Sequence, residues 1–321
     1  MRTSLTFFFL LGVPGICLSQ ATPDKLKRTN PSALFKAAGT PHYALLNINN
    51  LHTWSRDDGQ SNHSPGGDNG SYYPSGTGNV IYQDCIVWGA KAFLDAAHTQ
   101  PVLSQPIRVG GGTYGVGTKA GWVNGFGATA TPESPNPDAS RIYRIRRDFL
   151  APKYRSLEQD AADVNEIYFS SVTEAMITNV VEQYRKDWVE WPVQRGAPYI
   201  ERNGIPGYQA PPLSILSIDP DSLISGNYDE PGLAGPDVGL PAEQVIWTVY
   251  NDLDITQSLS FVGSHPLGLE IQKTVWGYFG VYGIQEMYFT RYRLINKGGV
   301  DIGGGQKGAF YLDSMYIAQF S

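Results

Sequence analysis

The sequence predicts a mainly β protein, antiparallel and β-sandwich-like, with a helical insertion at about 157–190. Three observations carry that expectation. Only 17% of the 321 residues are charged, while 36 glycines and 22 prolines punctuate the chain, a composition that argues against coiled coils and helical bundles. Aromatic residues make up 12%, so there is ample apolar surface to bury and intrinsic disorder loses its rationale. Short apolar runs bounded by Gly, Asn, Asp, Ser and Pro recur along most of the length, and one segment has a helical period instead. The length suits two ordinary domains or one large β-rich one.

Residues 1–19 read as a secretory signal peptide. Arg2 precedes an apolar run through Leu5, Phe7, Phe8, Phe9, Leu10 and Leu11, and small Ser19 marks the exit, with Cys17 removed alongside it. The run is too short to span a bilayer. Residues 20–41 form a polar N-terminal arm with Pro23, Pro31 and Pro41. The β-rich region covers 42–156, with strand candidates at Ala44 to Ile48, Val80 to Trp88, Ile107 to Val109 and Arg141 to Phe149. Cys85 is then the one remaining cysteine, and inside an apolar run it reads as a small buried hydrophobe rather than a nucleophile.

The helical insertion spans 157–192. Ser171-Val172-Thr173-Glu174 fits a capping box, and Val172, Met176, Val180, Tyr184 and Trp188 then recur every fourth residue. Pro192 ends the run, and a shorter helix is expected from Leu157 toward Phe169. Residues 193–321 are an acidic, loop-rich segment followed by an antiparallel meander. Leu269, Ile271, Val275 and Phe279 alternate with Glu270, Gln272, Thr274 and Tyr278, as in a half-buried strand. Met287 to Ile295 and Phe310 to Phe320 supply two further strands, and an apolar strand running to Ser321 suggests a longer parent.

The charge distribution is uneven. Between Arg202 and Lys273 there are 70 residues without a Lys or Arg, yet nine carboxylates: Asp219, Asp221, Asp229, Glu230, Asp237, Glu243, Asp252, Asp254 and Glu270. Folded close together these would repel one another, and Ca²⁺, a hard cation that takes oxygen ligands, would relieve the repulsion. Asp219, Asp221, Asp252 and Asp254 stand in pairs two residues apart and are the candidate calcium ligands. No complete calcium loop is present, and a solvated acidic face is the rival reading. Arg141, Arg144, Arg146 and Arg147 form a basic knot expected to answer the acidic block or to blunt an edge strand.

No recognisable catalytic motif is present. Gly115-Val116-Gly117-Thr118-Lys119-Ala120 resembles a dinucleotide fingerprint, but Gly121, Asn124, Gly125 and Gly127 rule out the helix it requires. The five histidines lack metal-ligand spacing, and an acidic chain with a leader is a poor candidate for nucleic acid. A carboxylate pair could serve a glycosidase, and some of the seven tryptophans could stack on sugars, although core packing accounts for most of them.

Several motifs nevertheless form an ordered set. They begin with Asn47-Ile48-Asn49-Asn50-Leu51, Trp54, Asp58-Gly59, Tyr73-Pro74 with Gly76, and Val87-Trp88-Gly89-Ala90. They continue through Tyr184 to Trp188, Glu190-Trp191-Pro192, Gly196-Ala197-Pro198-Tyr199, Asp229-Glu230-Pro231-Gly232, Gln244 to Trp247, Pro266 to Glu270, Leu294 to Lys297 and Asp313 to Ile317. This set resembles the N-terminal part of long, secreted, uncharacterised surface proteins of Bacteroidetes- and Ignavibacteria-type bacteria. The resemblance implies secretion and display at the cell surface, often with a C-terminal sorting or fibronectin-like module, which this sequence lacks. It also departs at Glu201-Arg202-Asn203-Gly204-Ile205-Pro206, where the family's acidic loop is degenerate.

The expected function is therefore that of a secreted or surface-displayed structural or adhesive protein without catalytic activity. Its expected partners are surface glycans or other cell-envelope proteins, with no nucleic acid and no transmembrane segment. The alternative is a secreted carbohydrate-binding or carbohydrate-hydrolysing protein.

Overall fold

A computed structural model describes residues 4–10 by backbone, and 42–67, 70–133, 140–200, 231, 241–281 and 283–321 in full. The principal strands are β1 (Ser4–Leu10), β2 (Tyr43–Leu46), β3 (Thr53–Arg56), β4 (Cys85–Phe93), β5 (Ile107–Gly111), β6 (Tyr143–Arg146), β7 (Gln244–Asn251), β8 (Leu269–Gly277), β9 (Tyr288–Asn296) and β10 (Tyr311–Phe320). The helices are α1 (Leu157–Val164), α2 (Glu174–Val189) and α3 (Ile255–Val262). The fold is mainly β and antiparallel, as expected.

A central six-stranded sheet runs β1-β9-β8-β7-β6, with the two-residue strand Lys119–Ala120 also pairing to β7. A second sheet runs β10-β4-β5, and β2 with β3 forms a separate hairpin. The helices α1 and α2 cover one face of the central sheet, where Tyr184 and Trp188 pack with Val245, Trp247, Val249 and Trp276. The other face meets two clusters. Ile86, Trp88 and Ala90 of β4 pack on Leu269, Ile271, Tyr292 and Leu294, and Ala44 and Leu46 of β2 pack on Ile246, Val275 and Tyr288. Each large aliphatic side chain sealed in such a layer stabilises the fold by about 1.5–3 kcal/mol relative to exposure.

Two expectations are corrected by this arrangement. All nine residues of β8 are buried, so its alternation separates two cores and not core from solvent. The C-terminal strands are not a simple meander either. β8 and β9 pair directly, but β10 leaves the central sheet to pair with β4, and Phe310 at the crossover is buried in the second core.

The helical insertion forms as α1 and α2, joined through a 3-10 turn at Phe169–Ser171. The cap lies two residues later than the sequence suggested. Thr173, not Ser171, accepts the Met176 amide, because Ser171 is taken up in the 3-10 turn and Val172 is extended. Such a cap contributes about 1 kcal/mol. The apolar run read as part of the leader lies along the β9 edge as β1, in register from Ser4↔Ile295 to Leu10↔Phe289. An open sheet edge offers unpaired backbone groups, and an extended apolar segment satisfies them. Among the described residues no helix is long and apolar enough to cross a membrane.

Candidate functional site

Among the described residues, Arg141, Arg144 and Arg146 of the arginine knot pair with carboxylates outside the acidic block. Arg144 donates to Asp160 of α1 at 2.5 Å, to the Leu45 carbonyl at 2.6 Å and to Asn47 at 2.7 Å. Arg141 pairs with Asp187 and with Glu190, Arg146 pairs with Asp148, and Arg147 donates to the Ala242 carbonyl. Asp160 also accepts the Tyr184 hydroxyl at 2.7 Å. Burial pushes the Asp160 carboxyl up, but Arg144, the Tyr184 hydroxyl and Arg146 together hold it below its ordinary value. This network fastens the helices to β6, the terminal strand of the central sheet beyond β7.

Of the four candidate calcium ligands, Asp219 and Asp221 lie outside the described residues. Asp252 and Asp254 have other partners. Buried Asp252 accepts the amides of Leu267, Gly268 and Leu269 at 2.9, 3.0 and 2.7 Å, and burial pushes it up to about 6 against their pull. Asp254 caps α3 through the amides of Thr256 and Gln257 and pairs with Lys119 at 3.1 Å. Among the described residues no group of three or more His, Cys, Asp or Glu side chains is arranged to hold a metal ion.

A different polar cluster lies between the two cores on the face opposite the helices. It is centred on Lys273, at the inward-facing position between Ile271 and Val275 of β8. The segment 57–64 folds over it. In this segment Ser61 bridges Ser55 on one side and Asp84 on the other, so the three residues form a lateral row, as antiparallel neighbours do. The Lys273 Nζ donates to the Gly59 carbonyl at 3.0 Å and to the Ser61 hydroxyl. The Ser61 hydroxyl also reaches the Asp84 carboxylate. Asp84 Oδ2 accepts from Gln319 at 3.2 Å and from the Tyr288 hydroxyl at 3.5 Å, whereas Oδ1 has no hydrogen-bond partner among the described residues.

Two neighbours complete the site. Asp58 pairs with Arg56 at 2.8 Å and accepts from Gln60. Cys85 places its thiol 3.9 Å from the Gly59 carbonyl. Gly59 itself has a φ of +93°, and a Cβ there would overlap the Tyr250 ring. Burial dominates the electrostatics throughout. It lowers Lys273 against the opposing charges of Asp84, Cys85 and Asp58, raises Asp84 and Asp58, and pushes the Cys85 thiol up to about 12. Cys85 is thus a buried thiol, in line with its reading as a small hydrophobe.

A lysine beside a serine hydroxyl is a nucleophile-and-base arrangement. Here Lys273 is 1% exposed, Asp84 2% and Ser61 5%, which closes the group to a diffusible substrate. Sequence reading missed this cluster and used Lys273 only to bound the acidic block. The available signal was a lone charge on the apolar side of a period-two strand, where an inward lysine needs a polar partner.

The surface offers one further feature. Tyr82 and Tyr114 are 58% and 70% exposed, with ring centroids 6.4 Å apart. Tyr114 has a φ of 48°, a left-handed conformation that bulky residues rarely adopt. The neighbouring Gly115 amide donates to Gln60. All seven tryptophans, by contrast, are buried, which removes them as sugar platforms. Comparison with protein-family models, curated proteins and solved structures finds no match to this chain.

Proposed function

We propose that the chain is a secreted or surface-displayed structural or adhesive protein that performs no chemistry on a diffusible substrate. The observation that carries this reading is the closure of Lys273, Ser61 and Asp84 beneath the 57–64 segment. The resemblance to bacterial surface proteins and the leader-like N-terminus support the same reading. The test is a panel of ester, peptide and glycoside substrates presented to the mature chain. No turnover is expected, and turnover abolished by Ser61→Ala would overturn the proposal.

A second reading is carbohydrate binding, favoured by the exposed Tyr82–Tyr114 pair beside Gln60. Aromatic faces stack on sugar rings, and a glycan array with the mature chain and with Tyr114→Ala tests it. Calcium binding is proposed on the charge of the base-free segment. Asp252 and Asp254 join such a site only by releasing backbone amides, and thermal denaturation with and without a chelator is the measurement.

A further inference from the structure

We propose that Lys273 and Asp84 join through an intramolecular amide bond that ties the central sheet to the start of β4. The two side chains share one hydroxyl, since Ser61 accepts from Lys273 and reaches the Asp84 carboxylate. The hydrogen-bond partners of Lys273, the Gly59 carbonyl and the Ser61 hydroxyl, are both uncharged. Ser61 stands between the two groups, and the reaction requires a rotation of the flexible lysine stem that brings Nζ from this hydroxyl to the Asp84 Cγ.

The two oxygens of Asp84 have different surroundings. Oδ2 faces two donors, Gln319 and Tyr288, which would stabilise negative charge building on that atom as the carbon becomes tetrahedral. Oδ1 has no such partner and is the oxygen free to leave. The step balances without any added reagent. The ammonium of Lys273 first passes a proton to the Asp84 carboxylate, giving a neutral amine and a neutral acid. The Nζ lone pair then attacks Cγ, the N–C bond forms, the C–Oδ1 bond breaks, and Oδ1 departs as water with a second proton from Nζ. The product is a neutral amide, which suits a buried site better than two ions. The Ser61 hydroxyl, which accepts from Lys273 and reaches the Asp84 carboxylate, is the path for the proton between them. The directions in which burial moves Lys273 and Asp84 favour the same neutral pair.

The experiment is mass spectrometry of the folded, purified chain followed by denaturation and peptide mapping. The expected result is a chain lighter than its sequence by one water, with the peptides containing Asp84 and Lys273 recovered as a single branched species. Lys273→Arg and Asp84→Ala are each expected to restore the mass their sequence requires. A wild-type mass equal to that of the sequence, with Lys273 recovered in an unbranched peptide, overturns the proposal. The wild-type measurement decides the matter even if a variant fails to fold.

Discussion

The central sheet carries a buried polar layer on each side, and the two are built on opposite rules. At the helix junction, Arg144 contacts Asp160, Arg141 contacts Asp187 and Glu190, and Arg155 contacts Asp163 at 2.5 Å. Each of these cations has a carboxylate in contact. Beneath the 57–64 segment, Lys273 instead rests on a carbonyl and a hydroxyl, and Asp84 has an oxygen without a partner. Paired buried charges hold the geometry of a fold, whereas unpaired ones are driven toward neutral forms, and neutral amines and acids are reactive.

The largest expected effect breaks the paired side. Asp160→Ala leaves Arg144 buried without its carboxylate and should cost about 3–5 kcal/mol, read from the midpoint of urea denaturation. A loss below about 1 kcal/mol would mean that the helices are held by apolar packing alone. On the unpaired side, Gly59→Ala is expected to cost about 1–3 kcal/mol, because the added methyl meets the Tyr250 ring and the backbone is left-handed. If the 57–64 segment were loosely seated, that variant would melt with the wild type.

Asp252 is an intermediate case, a buried carboxylate held by amides without a cation. Its folded value is raised to about 6, so the native state binds its proton more tightly than the unfolded chain does. By linkage, this group makes stability rise as the pH falls through roughly 6 toward 4. Asp160 has the opposite sign, its value being lowered, so its contribution is present above the unfolded value and is lost as the solution becomes more acidic. Chemical denaturation across this range should resolve the two limbs, and Asp252→Asn should flatten the first while leaving the second. The smallest effect is at the surface. Tyr114→Gly relieves a left-handed tyrosine and should raise stability by about 0.5–1 kcal/mol, with any glycan binding lost alongside.

The legible features were local ones. Val180, Tyr184 and Trp188 announce α2 because a helix repeats within a few residues, and Leu269, Ile271 and Val275 announce a strand because side chains alternate. The cap at Thr173 was displaced because a 3-10 turn and a capping box compete for the same short segment. Neither polar layer was legible. The arginines were visible as a cluster, but their partners on α1 and α2 depend on how the helices dock.

The sequence by itself determined that this protein is mainly β, that it contains a helical pair near 157–190, and that its tryptophans serve chiefly as core. Those properties follow from composition, period and turn chemistry, which act over short stretches of chain. Only the tertiary structure decided that β8 is covered on both faces, that β10 joins β4, and that Lys273 meets Gly59 across a separation of 214 residues. A buried charge is shaped by its neighbours in space, and contacts so distant along the chain leave no periodic mark in it.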